Sequence, residues 1–187
     1  MTASRPGDPL TYPLSGLLRE PPGAIRLYPV AGVTVDLGPD LMLADPIEGT
    51  IRVSRTNRGA LVHGRLETAI ATQCSRCLRD IEVPLDLQID EEALPSIDHE
   101  SGRPLDWSGD PDALRLNAAH ELELEPAVRE AIQLAEPIAP LCREDCPGLC
   151  VVCGADLSLA PHRHEDDADP RLQALLAFRI DGDAGTH

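Results

Sequence analysis

The stretch Leu141–Leu157, LCREDCPGLCVVCGADL, holds four of the chain's six cysteines: Cys142, Cys146, Cys150 and Cys153. Their spacing, Cys-x3-Cys-x3-Cys-x2-Cys, lets successive thiols curl to one side and close around a tetrahedral ion. Cys150-Val-Val-Cys153-Gly154 has the form of a zinc knuckle. The glycine there accepts a positive φ and lets backbone N–H groups face the sulfurs. Pro147-Gly148 supplies a tight reversal between the two pairs. Four thiolates on Zn²⁺ leave a negative local charge, and Arg143 is the nearest counter-ion in the sequence.

A disulfide framework would need an oxidising compartment. The opening MTASRPGDPLTYPL has no basic region followed by an apolar run, so no secretory signal is expected. Cys-x-x-Cys pairs in a non-secreted chain favour metal or redox chemistry. Zinc leads over an iron–sulfur cluster because the knuckle glycine and close spacing suit a small, closed site. A second pair, Cys74-Ser-Arg-Cys77, lies between two strand-like segments. It reads as inert thiols at a turn, or as metal ligands. It could join Cys150 and Cys153, leaving Cys142 and Cys146 spare. The alternative is that the C-terminal four ligate alone, and this set is favoured because it needs no long-range closure.

The 187 residues suffice for one ordinary domain, or for one domain plus a small appendage. With one Phe, one Trp and two Tyr, the core must be aliphatic. No apolar run approaches the roughly 18 residues of a membrane span. The net charge of −16 argues against a surface that binds nucleic acid all over. All sixteen basic residues are arginines, and six of them (Arg52, Arg55, Arg58, Arg65, Arg76, Arg79) stand between Ile51 and Arg79 against Glu67 alone. That segment is read equally as a solvated sheet face or as a patch facing RNA or a partner.

Residues 1–24, rich in Pro, Gly and Ser, read as a flexible N-terminal arm. An α+β domain is expected over 25–140, a four-cysteine zinc module over 141–160, and a short helix with a disordered tail over 161–187. Val33–Leu37 suggests an edge strand. Ile47, Gly49, Ile51 and Val53 alternate with polar residues, and Val62, Leu66 and Ile70 continue the period beyond the Asn57-Arg-Gly59 turn. Ile81–Ile89 is the clearest strand, with Pro84 placing it at an edge or a bulge. Short connections predict an antiparallel meander. Pro95–Asp112 reads as a long loop that the solitary Trp107 could anchor. Leu114–Leu116 suggests one more strand. Leu124, Val128, Ile132 and Ala135 predict a helix over Glu125–Ala135 that packs on the sheet. His162 and His164 could be auxiliary ligands, but solvated loop histidines are the favoured reading. Leu172, Leu175 and Leu176 form the stripe of the last helix.

Several segments together resemble the YceD family, whose members are described as large ribosomal RNA subunit accumulation proteins. They are Gln73-Cys-Ser-Arg-Cys-Leu78 with its following strand and Asp90-Glu-Glu, and Glu123-Leu124 with Val128-Arg-Glu130-Ala-Ile-Gln-Leu134. Gly148-Leu-Cys150, Cys153-Gly154-Ala-Asp-Leu157 and Asp169-Pro-Arg-Leu172 complete the pattern. Ser158 stands where the family often has Asn, a change that preserves a local capping oxygen. The resemblance covers about residues 47–179. It implies a bacterial, cytoplasmic, non-catalytic factor in large-subunit biogenesis, needed for 23S rRNA to accumulate. Its partner would be 23S rRNA precursor or a large-subunit ribosomal protein.

The competing readings are weaker. Cys74 and Cys77 could form a redox pair activated by Arg76, but no βαβ pattern surrounds them. A zinc hydrolase needs an open coordination position, and neither His-Glu-x-x-His nor a nucleophile elbow occurs. A DNA-binding zinc protein would want an arginine-rich recognition helix, which is missing.

Overall fold

Alternation of apolar and polar residues carries the fold, because each strand of this aliphatic chain can bury only one face. The computed structural model describes residues 9–39, 41–98, 101–106, 109 and 111–164. Strands β1 (Thr11–Pro13), β2 (Ile25–Val33), β3 (Met42–Arg55), β4 (Ala60–Gln73), β5 (Asp80–Pro95), β6 (Leu114–Leu116) and β7 (Glu121–Glu123) are joined by helices α1 (Ser15–Leu18) and α2 (Glu125–Ala135). The main sheet runs β2-β3-β4-β5-β6, and β1 pairs with β7 in a small second sheet. The first four strands of the main sheet form the expected antiparallel meander, whereas β6 runs parallel to β5.

The inner face is built from Ile47, Ile51 and Val53 of β3, Val62, Leu66 and Ile70 of β4, and Leu85, Leu87 and Ile89 of β5. Leu124, which caps α2, and Val128 and Ile132 of α2 join the same core. Pro126 near the start of α2 costs no hydrogen bond there, and Glu125 in the first turn suits the positive end of the helix. Pro84 pairs with Ala69 on one side only, since β6 meets β5 just at Ala93–Pro95. A proline on a free edge forfeits no ladder bond, which matches the expectation from sequence.

Two expectations need correction. Val33–Leu37 is not the edge strand; β2 forms that edge further upstream, and Val33 is its last residue. The pairing shifts between Val30 and Val33, where Gly32 adopts a positive φ of 69°. This is the bulge that ends regular pairing. Nor is the segment before residue 25 a loose arm where it is described. Leu10, Tyr12, Leu14, Leu17 and Leu18 are all buried. Proline and glycine there broke any detectable period, but long-range bonds replace it. Leu124 donates its N–H to Leu10, and Leu14 donates to His120. Trp107, the expected helix at Leu172, Leu175 and Leu176, and the tail lie outside the described residues.

Gly64 faces inward between Ile51 and Ile89, its cross-strand partners. A Cβ there would lie 2.9 Å from Ile51 Cδ1 and 3.2 Å from Ile89 Cβ. Gly64→Val should therefore overpack the sheet and cost about 1–3 kcal/mol, read as a lower urea midpoint at unchanged slope.

Candidate metal centres

Two loops remote in sequence meet at one end of the sheet. The turn from β4 to β5 carries Cys74 and Cys77, and the segment after α2 carries Cys142 and Cys146. Glu136 leaves α2 with an extended ψ of 124°, as a residue before proline must, and Pro137 and Pro140 steer the chain toward that turn. Ser75 donates its N–H to Pro140 O at 2.8 Å, and Leu149 donates to Arg76 O at 3.0 Å. Gly148 makes this approach possible. Its φ is +76°, and a Cβ on it would lie 2.9 Å from Arg76 O.

The cysteines therefore divide differently from either grouping expected above. The sulfurs of Cys74, Cys77, Cys142 and Cys146 all lie within 4.8 Å of one another. Cys74 Sγ is 3.9 Å from Cys146 Sγ, and Cys77 Sγ is 3.7 Å from Cys142 Sγ. Those separations far exceed the roughly 2.05 Å of a disulfide. They fit the edge of about 3.8 Å that four sulfurs make at about 2.3 Å from a tetrahedral zinc. Cys74, Cys77 and Cys146 are buried, with Ile81, Leu141, Cys142 and Leu149 packed around them. This group could hold a metal ion, and its chemistry suits a soft, four-coordinate one.

Cys150 and Cys153 are not in that group. Their ligand atoms lie within 4.8 Å of those of His162 and His164. Cys153 Sγ is 3.2 Å from His162 Nε2, which is 3.1 Å from His164 Nε2. The two histidines thus stand beside the thiols instead of being simply solvated. The signal in the sequence was a His-x-His that follows Cys-x-x-Cys-Gly after a short loop. Local spacing favoured the C-terminal four cysteines because it ignores closure through tertiary structure.

The backbones of the two Cys-x-x-Cys turns repeat each other. Leu78 donates its N–H to Cys74 O, and Gly154 donates to Cys150 O; Cys74 donates to Arg79 O, and Cys150 to Ala155 O. Both residues that follow the second cysteine have positive φ, 57° at Leu78 and 73° at Gly154. The hairpin-end Cys74–Cys77 turn thus has the same backbone shape as the Cys150–Cys153 turn.

Electrostatics follow from these turns. The pKa of the Cys74 thiol is lowered to about 6, first by the N–H of Cys142 and then by that of Cys77. That of Cys150 is likewise lowered to about 6 by the N–H groups of Cys153 and Val152. Cys142 is raised to about 12, chiefly because its proton is shared with the Cys146 sulfur, with burial adding to it. A contact with Ala160 O raises the pKa of His162.

The six arginines of the basic segment scatter. Arg52 and Arg65 are exposed on the outer sheet face. Arg55 folds back onto Leu18 O and Gly59 O, and Arg58 pairs with Glu92. Arg76 donates to Cys146 O at 2.9 Å, and Arg79 reaches Asp156 at 3.3 Å. These last two brace the cysteine loops. Arg143 pairs with Asp145 at 3.3 Å and donates to Ser158 Oγ at 3.4 Å.

The family model described as large ribosomal RNA subunit accumulation protein YceD matches residues 62–179, more than half of the chain and all six cysteines. The chain belongs to the YceD family. That description ties the family to accumulation of the large-subunit ribosomal RNA. Uncharacterized proteins of Mycobacterium tuberculosis and Mycobacterium bovis are 29% identical over 174 residues, covering 90% of this chain and 81% of theirs. One from Mycobacterium leprae is 26% identical over 176 residues, covering 91% of this chain and 79% of its own. No solved structure matches this YceD chain. No helix among the described residues is long and apolar enough to cross a membrane.

Two outcomes follow for the centre at Cys74. Cys142 must lose its proton to ligate, so metal binding near neutral pH should release at least one proton. Affinity should rise with pH, about tenfold per unit for each thiol still protonated, and fall more steeply once acid reaches Cys74 near pH 6. Calorimetric titration in two buffers of different ionisation heat reads both. Gly148→Ala, strained in φ and crowded against Arg76, should weaken metal retention about 10–100-fold, measured by competition with a chromogenic chelator.

Proposed function

We propose that this YceD protein is a non-catalytic factor in large-subunit biogenesis that supports 23S rRNA accumulation by docking a basic large-subunit protein. Zinc at Cys74, Cys77, Cys142 and Cys146 is structural in this reading. Four sulfurs fill a tetrahedral ion and leave no position for substrate. Thiol exchange at Cys74 and Cys77 fits less well, because both are buried and exchange needs access.

The observation that carries the choice of partner is the outer face of the sheet. Glu48, Glu67 and Asp86 stand directly opposite one another across β3, β4 and β5, and all three are exposed. Like charges in cross-strand register destabilise a sheet, so this rung is a cost unless a cation covers it. The next rungs hold Arg65 between Thr50 and Gln88, then Arg52 and His63 beside Asp90. Exposed Ile25, Leu27 and Leu61 adjoin them at the β2 end. Acids facing a cation-rich partner, with an apolar margin, suit a basic ribosomal protein better than a phosphate backbone. The net charge of −16 points the same way.

Reversing charge separates the two partners. Glu67→Arg with Asp86→Arg should weaken association with large-subunit particles by about tenfold or more, whereas Arg52→Glu with Arg65→Glu should leave it nearly unchanged. Sucrose-gradient co-migration across a salt series, followed by crosslinking after RNase, makes the measurement. The opposite ranking, with RNase-sensitive association, would transfer the contact to 23S rRNA precursor. A protein found only at the top of the gradient under both conditions would sink the ribosomal reading.

A further inference from the structure

The six cysteines form one group of four, three of them buried, and leave Cys150 and Cys153 beside His162 and His164. We infer that these four residues hold a second divalent metal ion of the zinc class, with two sulfur and two imidazole ligands, independent of the ion at Cys74. The inference does not depend on the ribosomal reading.

Three observations carry it. The Cys150–Ala155 turn repeats, bond for bond, the Cys74–Arg79 turn of the buried centre, including the positive φ after the second cysteine. A turn of this shape aims its N–H groups at the sulfurs and stabilises them as thiolates.

The ligand atoms also have the right separations. A tetrahedral ion with about 2.0 Å to nitrogen and about 2.3 Å to sulfur sets nitrogen–nitrogen edges near 3.3 Å and sulfur–nitrogen edges near 3.5 Å. The observed edges are 3.1 Å for His162 to His164 and 3.2 Å for Cys153 to His162.

His162 is also held in the form a ligand needs. Its Nδ1 is 2.7 Å from Ala160 O, so Nδ1–H donates there and the Nε2 lone pair is turned toward Cys153 and His164. A backbone carbonyl on the far nitrogen is the usual second contact of a metal-bound imidazole.

Charge accounts for its position. Two thiolates and two neutral imidazoles cancel a divalent cation, so this centre needs no counter-ion and can stand at the surface. Cys153 and His164 are exposed, His162 half-buried and only Cys150 buried, whereas in the other group Cys74, Cys77 and Cys146 are buried and only Cys142 is half-buried. The outer ion should therefore exchange first. Its structural effect is to tie the loop from Gly154 to Arg163 back onto the knuckle.

The test uses the full chain loaded with Zn²⁺ or Co²⁺. The expected metal content is two ions per chain, falling to one in His162→Ala/His164→Ala, with the thermal melt of the sheet retained. A chelator should remove one ion well before the other. His162→Cys/His164→Cys should keep both ions and strengthen the thiolate-to-cobalt absorption, a gain that a misfolded variant could not give. One ion or none in the unaltered chain, or two ions persisting in the double alanine variant, would overturn the inference.

Discussion

The rest of the molecule depends on the closure of two cysteine loops against each other at the end of the β4–β5 hairpin. Neither loop has a core of its own. Cys74, Cys77 and Cys146 bury their sulfurs only against each other and a few neighbours such as Ile81, Leu141 and Leu149. Around them the backbone is committed: Leu149 to Arg76, Ser75 to Pro140, and Arg76 to the Cys146 carbonyl. Four sulfurs spaced as the edges of a tetrahedron would repel as thiolates and crowd as thiols. A cation relieves both at once, and the binding energy of such an ion counts directly toward folding.

This closure fixes where the described residues from Cys142 to His164 lie. Helix α2 packs Leu124, Val128 and Ile132 on the sheet, then turns at Pro137 and delivers Cys142 within reach of Cys77. Because β4 and β5 are long and continuously paired from Ala60–Ala93 to Gln73–Asp80, the hairpin end is a rigid platform. The knuckle at Cys150 then extends from that platform instead of completing it. Arg76 and Arg79, which by composition belong to a basic patch, act as struts between platform and module. The basic segment is thus mostly taken up by contacts within the fold, and the outer face reads as mixed charge with an acidic rung.

The strands and the long helix were legible because each repeats a short-range period. Ile81 to Ile89 alternates strictly, and Leu124, Val128 and Ile132 recur on one helical face; both elements stand where the pattern put them. The first described residues were misread for the complementary reason. Leu10, Leu14 and Leu17 stand in a Pro- and Gly-rich segment whose spacing is not sustained, yet they are buried because β7 and the end of the core supply partners more than a hundred residues away. Such partners leave no trace in local composition.

The cysteine spacing determined two Cys-x-x-Cys turns of one shape, and the strand periods determined a meander with one wet face. Which candidate ligands come together was decided only in three dimensions. Cys142 is nearer in sequence to Cys150 and Cys153, but α2 and its terminal prolines carry it to Cys74 and Cys77 instead. His162 and His164 then fill the places left beside Cys150 and Cys153. Local spacing sets the shape of a single turn. The partner that completes a tetrahedron depends on how the sheet and helix pack, and that is a property of the whole chain.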